Sequence, residues 1–229
     1  MRAILLVPVA MALGASAQTD LGGKVGFNYQ FQSVTLGDDA PAGTEEPRAA
    51  DGPGFHVGVF AAHDLSERLY LRPELLYSTR SSSASLSSST TVLDVTTKVD
   101  AETRSNLSYL ELPLMLGIRV SEKLSLQAGP AFGFLLGSTT KVTGTSSVTT
   151  SGETVTTSLD ATDSSTDGLN TMEVAGVVGL GYRMDNGLDL GLRYWRGFTT
   201  LEENTDLTKT HQNVVQVSLG YAFLRDRTN

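Results

Sequence analysis

Residues 171–195 alternate between apolar and polar side chains on both sides of Asp185-Asn186-Gly187. Before the turn, Val174, Val178, Leu180, Tyr182 and Met184 share one parity; after it, Leu188, Leu190, Leu192 and Tyr194 do. Successive side chains on a strand point to opposite faces, so each run has one greasy face. The other face carries Glu173, Ala175, Gly179, Gly181 and Arg183, then Asp189, Gly191 and Arg193. Small and charged residues in that pattern suit the crowded polar inside of a small barrel whose apolar side faces lipid. Residues paired across two strands share a face, so Met184 should stand opposite Leu188. That demands a three-residue loop with Gly187 left-handed, a type I turn plus bulge. The register then sets Arg183 opposite Asp189, Gly181 opposite Gly191 and Tyr182 opposite Leu190.

The same alternation recurs along the chain. It is read at 21–36, from Phe55 onward, and at 69–80, 107–120, 124–137 and about 211–224. With the opening hairpin this makes eight strands, an even number, as in bacterial single-chain barrels. Connections alternate long and short, which puts short turns on one rim and long loops on the other. That is the asymmetry of periplasmic turns and extracellular loops. The expected fold is all-β, an eight-stranded antiparallel up-and-down transmembrane β-barrel. Pro73 cannot donate to a ladder and should mark a bulge or an unpaired position. Residues 81–105 and 138–170 are rich in Ser and Thr and read as long outer loops. The second alternates in places, as strands continuing beyond the membrane or as a loop. A soluble lipocalin-like barrel would need its greasy face inward, and the inward charges and glycines argue against it.

Residues 1–17 look like a secretory signal: Arg2, an apolar stretch over 3–13, and Ala15-Ser16-Ala17 before Gln18. The barrel domain is then 18–229. The chain has 229 residues, no cysteine and a formal net charge of -8. An exported fold without disulfides must hold through backbone pairing and packing. The acidic balance argues against a nucleic-acid partner.

Four stretches carry a family likeness: Leu71-Arg72-Pro73-Glu74-Leu75-Leu76-Tyr77, Tyr109-Leu110-Glu111-Leu112-Pro113-Leu114, Gly129-Pro130-Ala131-Phe132-Gly133 and Gly191-Leu192-Arg193-Tyr194. Together they resemble the outer-membrane β-barrel family of Bacteroidetes-type bacteria often called PorT-like. The resemblance covers nearly the whole mature chain and implies an eight-stranded barrel in the bacterial outer membrane. The name-giving member is tied to protein secretion, which makes a transport or secretion accessory the alternative to a structural or surface-interaction role.

Parity places Lys24, Arg72, Glu74, Glu111, Arg119, Glu173, Arg183, Asp189 and Arg193 inside. An eight-stranded interior is only wide enough for side chains, so these charges should form a paired polar network. A narrow ion or proton path is the sharper reading of the same residues. Tyr109 and Trp195 belong to a set of aromatics that fits either core packing or girdles at the membrane interface. Catalysis would need a nucleophile, a base and an orienting group. His56, His63 and His211 are the only histidines, and neither a G-x-S-x-G nor a His-x-x-x-His occurs. The acidic loop groups Asp38, Asp39, Glu45, Glu46 and Asp160, Asp163, Asp167 lack EF-hand spacing. No enzyme activity, cofactor or metal is therefore expected. The expected partners are outer-membrane lipid, the barrel-assembly machinery and an extracellular partner for the loops, and the expected state is a monomer.

Overall fold

The structure, a computed structural model, describes residues 18–36, 50–93, 95–203 and 208–225. The expected signal peptide and most of the first outer loop, with its acidic group at 38–46, lie outside the described residues. Nine strands occur among the described residues: β1 (Thr19–Leu36), β2 (Asp51–Asp64), β3 (Leu69–Val92), β4 (Val95–Arg119), β5 (Leu124–Thr150), β6 (Glu153–Asp163), β7 (Met172–Arg183), β8 (Leu188–Thr200) and β9 (Thr208–Arg225). Eight of them close a ring in the order β1-β2-β3-β4-β5-β7-β8-β9, with β9 pairing back to β1. Every neighbour is antiparallel, so the wall is the eight-stranded up-and-down barrel that the alternation predicts. The ninth strand, β6, stands outside the ring and pairs with the far end of β5 alone.

The greasy parity faces outward. Val178 is 56% exposed, Leu180 43%, Leu190 42% and Leu192 48%. Equivalent apolar residues on the other six strands of the ring, such as Phe27, Val57, Leu75, Leu116, Leu126 and Val217, are exposed in the same way. An apolar band around a ring with no free edge answers the demand of lipid, where every backbone polar group must be paired internally.

The three short turns share one rim. In two of them a serine closes the hairpin: Leu69 N–H donates to Ser66 Oγ at 3.1 Å, and Leu124 N–H to Ser121 Oγ at 3.1 Å. The third is the Asp185-Asn186-Gly187 loop. Gly187 has φ 93°, its N–H donates to Met184 O at 3.0 Å, and Met184 N–H donates to Leu188 O at 2.8 Å. Arg183 pairs with Asp189, Gly181 with Gly191 and Tyr182 with Leu190, the register expected from parity. Pro73 and Pro113 interrupt the β3–β4 ladder between Pro73↔Leu114 and Leu76↔Glu111, without a shift of register.

The opposite rim departs from the sequence expectation. Residues 81–105 are not a loop: β3 and β4 run on together to Val92↔Val95. β5 continues alongside β4 to Thr150, and β6 folds back on it from Thr150↔Glu153 to Thr140↔Asp163. The four strands form an antiparallel sheet that projects beyond the ring by roughly 35–40 Å along the strands, at about 3.3 Å per residue. Residues 81–105 look unstructured in sequence because both faces meet water, so no strong apolar alternation marks them; 138–170 instead follow the continuing-strand alternative that their partial alternation left open.

Replacing Gly187 by Val forces a β-branched side chain into a left-handed position, at a cost of about 1–2 kcal/mol. Urea unfolding of the refolded barrel in detergent should show that loss; an unchanged midpoint would remove the turn from the account of register.

Candidate functional site

Inward side chains fill the ring in two levels. At the level nearer the short turns, Glu74 on β3 is the hub. Its Oε2 accepts from Lys24 Nζ (3.0 Å) on β1 and from Arg193 Nη1 (2.7 Å) on β8, and its Oε1 accepts from Arg193 Nη2 (2.8 Å). Arg72 Nε lies 2.8 Å from the same carboxylate but off the hydrogen-bond axis, so this contact counts as an ion pair only. Arg72 Nη1 reaches both oxygens of Asp189 on β8 at 3.1 Å and its guanidinium lies 3.9 Å from the Phe60 ring centre. β3 and β8 stand on opposite sides of the ring. These ion pairs therefore cross the lumen rather than run along its wall.

Nearer the projection the hub is a cation. Arg80 on β3 meets Glu111 (2.8 Å) on β4 and Glu173 (2.7 Å) on β7, and donates to Gln212 Oε1 (3.0 Å) on β9. Gln212 donates in turn to Tyr109 Oη at 2.8 Å, while Arg80 lies over the rings of Tyr109 and Trp195. Between the levels, Asn28 accepts from His56 Nδ1 (2.7 Å) and donates to Ser78 Oγ (2.8 Å). Four cations, Lys24, Arg72, Arg80 and Arg193, and four carboxylates, Glu74, Glu111, Glu173 and Asp189, are buried. Their charges balance. An enclosed charge stays tolerable when opposite charges and hydrogen bonds replace its water shell.

The inward glycines make room for this filling. A side chain at Gly117 would run into the Tyr70 ring, which lies directly across on β3. Tyr70 Oη donates to Ser125 Oγ (2.8 Å) and accepts from Gln127 Nε2 (2.9 Å).

Of the nine inward charges expected, seven are buried in the two levels: Lys24, Arg72, Glu74, Glu111, Glu173, Asp189 and Arg193. Arg119 and Arg183 sit half-exposed at the short-turn rim. Arg119 pairs with Asp64, and Arg183 pairs with Asp20 at 2.7 Å, closer than its 3.6 Å to Asp189. β4 ends at Arg119 and β7 at Arg183, so these side chains reach water. Arg80 was not foreseen, though it shares the parity of Arg72 and Glu74; it stands where the strand was expected to end. Tyr109 and Trp195 are each 1% exposed and belong to the interior, not to an interface girdle. Parity with Glu111 and Arg193 is the signal that finds them. In the turns, Lys123 donates to Asp185 at 2.7 Å, and this hydrogen bond raises its ammonium pKa above the ordinary value.

The projection has two unlike faces. Four-residue rows cross it in register: Leu86–Ala101–Gly144–Leu159 and Thr90–Thr97–Val148–Val155 belong to one face. This face continues the lumen wall, since it shares parity with buried Arg80 and Ser82. The other face carries rows such as Ser87–Asp100–Thr145–Ser158 and Ser85–Glu102–Thr143–Asp160, all polar.

A closed antiparallel ring with an apolar outside and an ion-paired inside defines a membrane β-barrel. Residues 16–203 match the family described as outer membrane protein beta-barrel domain, and the chain belongs to that family. It is a bacterial outer-membrane protein. Among solved structures the chain is similar to Ail, the attachment invasion locus protein of Yersinia pestis, in complex with the heparin analogue sucrose octasulfate, at 11% identity and TM-score 0.40 over 90% of this chain and 99% of that one. It is also similar to OprG from Pseudomonas aeruginosa (12%, TM-score 0.40, 89% and 95%) and to the outer membrane protease OmpT from Escherichia coli (10%, TM-score 0.38, 90% and 96%). Similarity this low says nothing of the chain's function. No curated protein matches the chain in sequence.

Substituting Glu74 by Ala leaves Lys24 and Arg193 without a carboxylate in the lumen, Arg72 keeping Asp189, and should cost about 3–5 kcal/mol in detergent-refolded barrel. Glu102→Gln, which removes an exposed pair with Arg104 on the projection, should stay within about 0.5 kcal/mol. Equal effects would contradict the central place given to Glu74.

Proposed function

We propose that this protein is a non-enzymatic outer-membrane barrel that anchors a surface-interaction sheet. The observation that carries the reading is the contrast between the two parts of the molecule. The lumen is crossed at two levels by side chains from different walls, which supports a closed plug rather than a conduit. The Ser/Thr-rich segments, in contrast, form an ordered, two-faced sheet with exposed Leu86, Val155 and Leu159. Contiguous exposed apolar residues rimmed by polar ones are the usual mark of an interaction surface. Inside the barrel His56 is bonded to Asn28 rather than to a carboxylate or a hydroxyl nucleophile, and His63, at the short-turn rim, meets the Thr19 hydroxyl at 2.9 Å; the interior histidine thus gives no support to hydrolase chemistry there. The PorT-like resemblance keeps a secretion accessory as the alternative, on family likeness alone.

Excision of 138–170 tests the reading. Leu135 N–H already donates to Thr171 O at 2.9 Å, so the cut ends are neighbours and the ring keeps all its strands. The excised barrel should insert normally and keep its heat-modifiable mobility on gels. Cells carrying it should lose attachment to immobilised extracellular proteins that cells with the intact chain hold. Unchanged attachment would sink the surface role. Stepwise conductance of the intact barrel in planar bilayers would favour transport instead.

A further inference from the structure

Both edges of the projection lack a partner strand among the described residues: β3 beyond Ser83, which carries no charge there, and β6 along its whole length, which is acidic. β6 pairs with β5 through eleven consecutive residues, from Glu153 to Asp163, without a bulge. Among the described residues no strand pairs with its other edge. All eleven residues are exposed. Thr150 and Glu153 flank the two-residue turn Ser151-Gly152, whose φ values are 51° and 87°. In a hairpin of that length the flanking residues form a hydrogen-bonded pair, and the pattern alternates from there. The odd-numbered residues of β6 thus turn their N–H and C=O groups to β5. Thr154, Thr156, Ser158, Asp160 and Thr162 turn theirs to the open edge.

Exposed edges are ordinarily blunted by Lys, Pro or a bulge, because they template further pairing. β6 has none of these. Its composition, Thr and Val with three acids and no base, instead favours an added strand of opposite charge. Lys141 on β5 meets Asp160 at 3.4 Å and leaves the strand net acidic. A second copy fits badly: β6 antiparallel to itself about Ser158 sets Glu153 opposite Asp163, and like charges directly opposite repel.

We infer that the open edge of β6 accepts an extended, basic polypeptide segment as an added β-strand. This rests on the surface-interaction reading and names the surface and the partner chemistry. Main-chain hydrogen bonds from the even-numbered residues give the pairing, and Glu153, Asp160 and Asp163 select for Lys and Arg.

The test uses the full barrel in lipid nanodiscs and fluorescent peptides about as long as β6. One alternates lysine with valine, one alternates glutamate with valine, and one repeats the lysine peptide with its alternate backbone nitrogens methylated. The lysine peptide should bind, and the other two should bind at least about tenfold more weakly. The double variant T156P/S158P removes two edge donors and leaves the β5 ladder, since proline is tolerated where the N–H faces outward. It should reduce binding of the lysine peptide by a similar factor, while the circular dichroism spectrum stays unchanged. The triple variant E153Q/D160N/D163N, which keeps the edge donors, should weaken it too. Binding that survives both variants, or that ignores backbone methylation, overturns the proposal. So does concentration-dependent self-association of the intact barrel that T156P/S158P abolishes, because the occupant is then a second copy. If excision of 138–170 ends cell attachment while T156P/S158P does not, the surface role stands and the edge proposal falls; if neither change matters, both fall.

Discussion

The pairing of β1 with β9 is what the remainder of the fold depends on. It runs from Asp20↔Arg225 to Leu36↔Thr208 and joins the first strand to the last. Without it the sheet has two open edges in hydrocarbon, where unpaired peptide groups cost several kcal/mol each. With it, every wall strand has two neighbours, and the apolar parity has no place to go but outward. The closing strand must be made last, so the ring cannot form until nearly the whole chain is present. Its contacts are almost all between strands distant or adjacent in an antiparallel meander, a topology expected to fold slowly and to need assistance at the membrane.

Closure also fixes the interior. Eight strands leave room for side chains and little else. Large rings occupy that space only because the facing positions are bare: Tyr70 lies over Gly117, and Phe60 lies where side chains at Gly22 would be. Charges then share what is left, and the two levels divide them unequally. Three cations surround Glu74 and Asp189 near the short-turn rim, whereas one cation serves Glu111 and Glu173 near the projection. The cross-lumen pairs between β3 and β8 tie opposite walls together, so the interior stiffens the ring as well as filling it.

The alternation of Leu180, Leu190 and their neighbours was enough to give strand faces, the hairpin register and the inner position of Arg72, Glu74 and Arg193. It did not give partners. Parity tells which face a side chain takes, but not its height or its angle around the ring, and Glu74 and Arg193 are 119 positions apart. Lipid is the reason the ring was readable: it demands apolar residues on one face and so writes a period of two into the sequence. The projection has water on both sides. Thr and Ser serve either face there, and the weak alternation of Leu86 and Val99 passes for loop composition. Arg80, at the junction of the two regimes, was lost for the same reason.

A single irregularity reconciles the two regimes. Ser108 pairs with Gly137 but Tyr109 pairs with Leu135, so Leu136 is an extra residue on β5. Below this bulge the buried positions of β5 are odd, Ser125, Gln127 and Ala131; above it the buried position is even, Ser138. A one-residue slip exchanges the faces of everything that follows. Had β5 continued unbroken, Lys141, Thr143 and Thr145 would share the face of Ala101 and Val99, and Val142 and Val148 would lie among Asp100 and Glu102. The bulge instead sets Val142, Gly144 and Val148 in line with the apolar residues of β3, β4 and β6. The two-faced character of the projection, and with it the acidic polar rows beside the open edge of β6, depends on that one inserted residue.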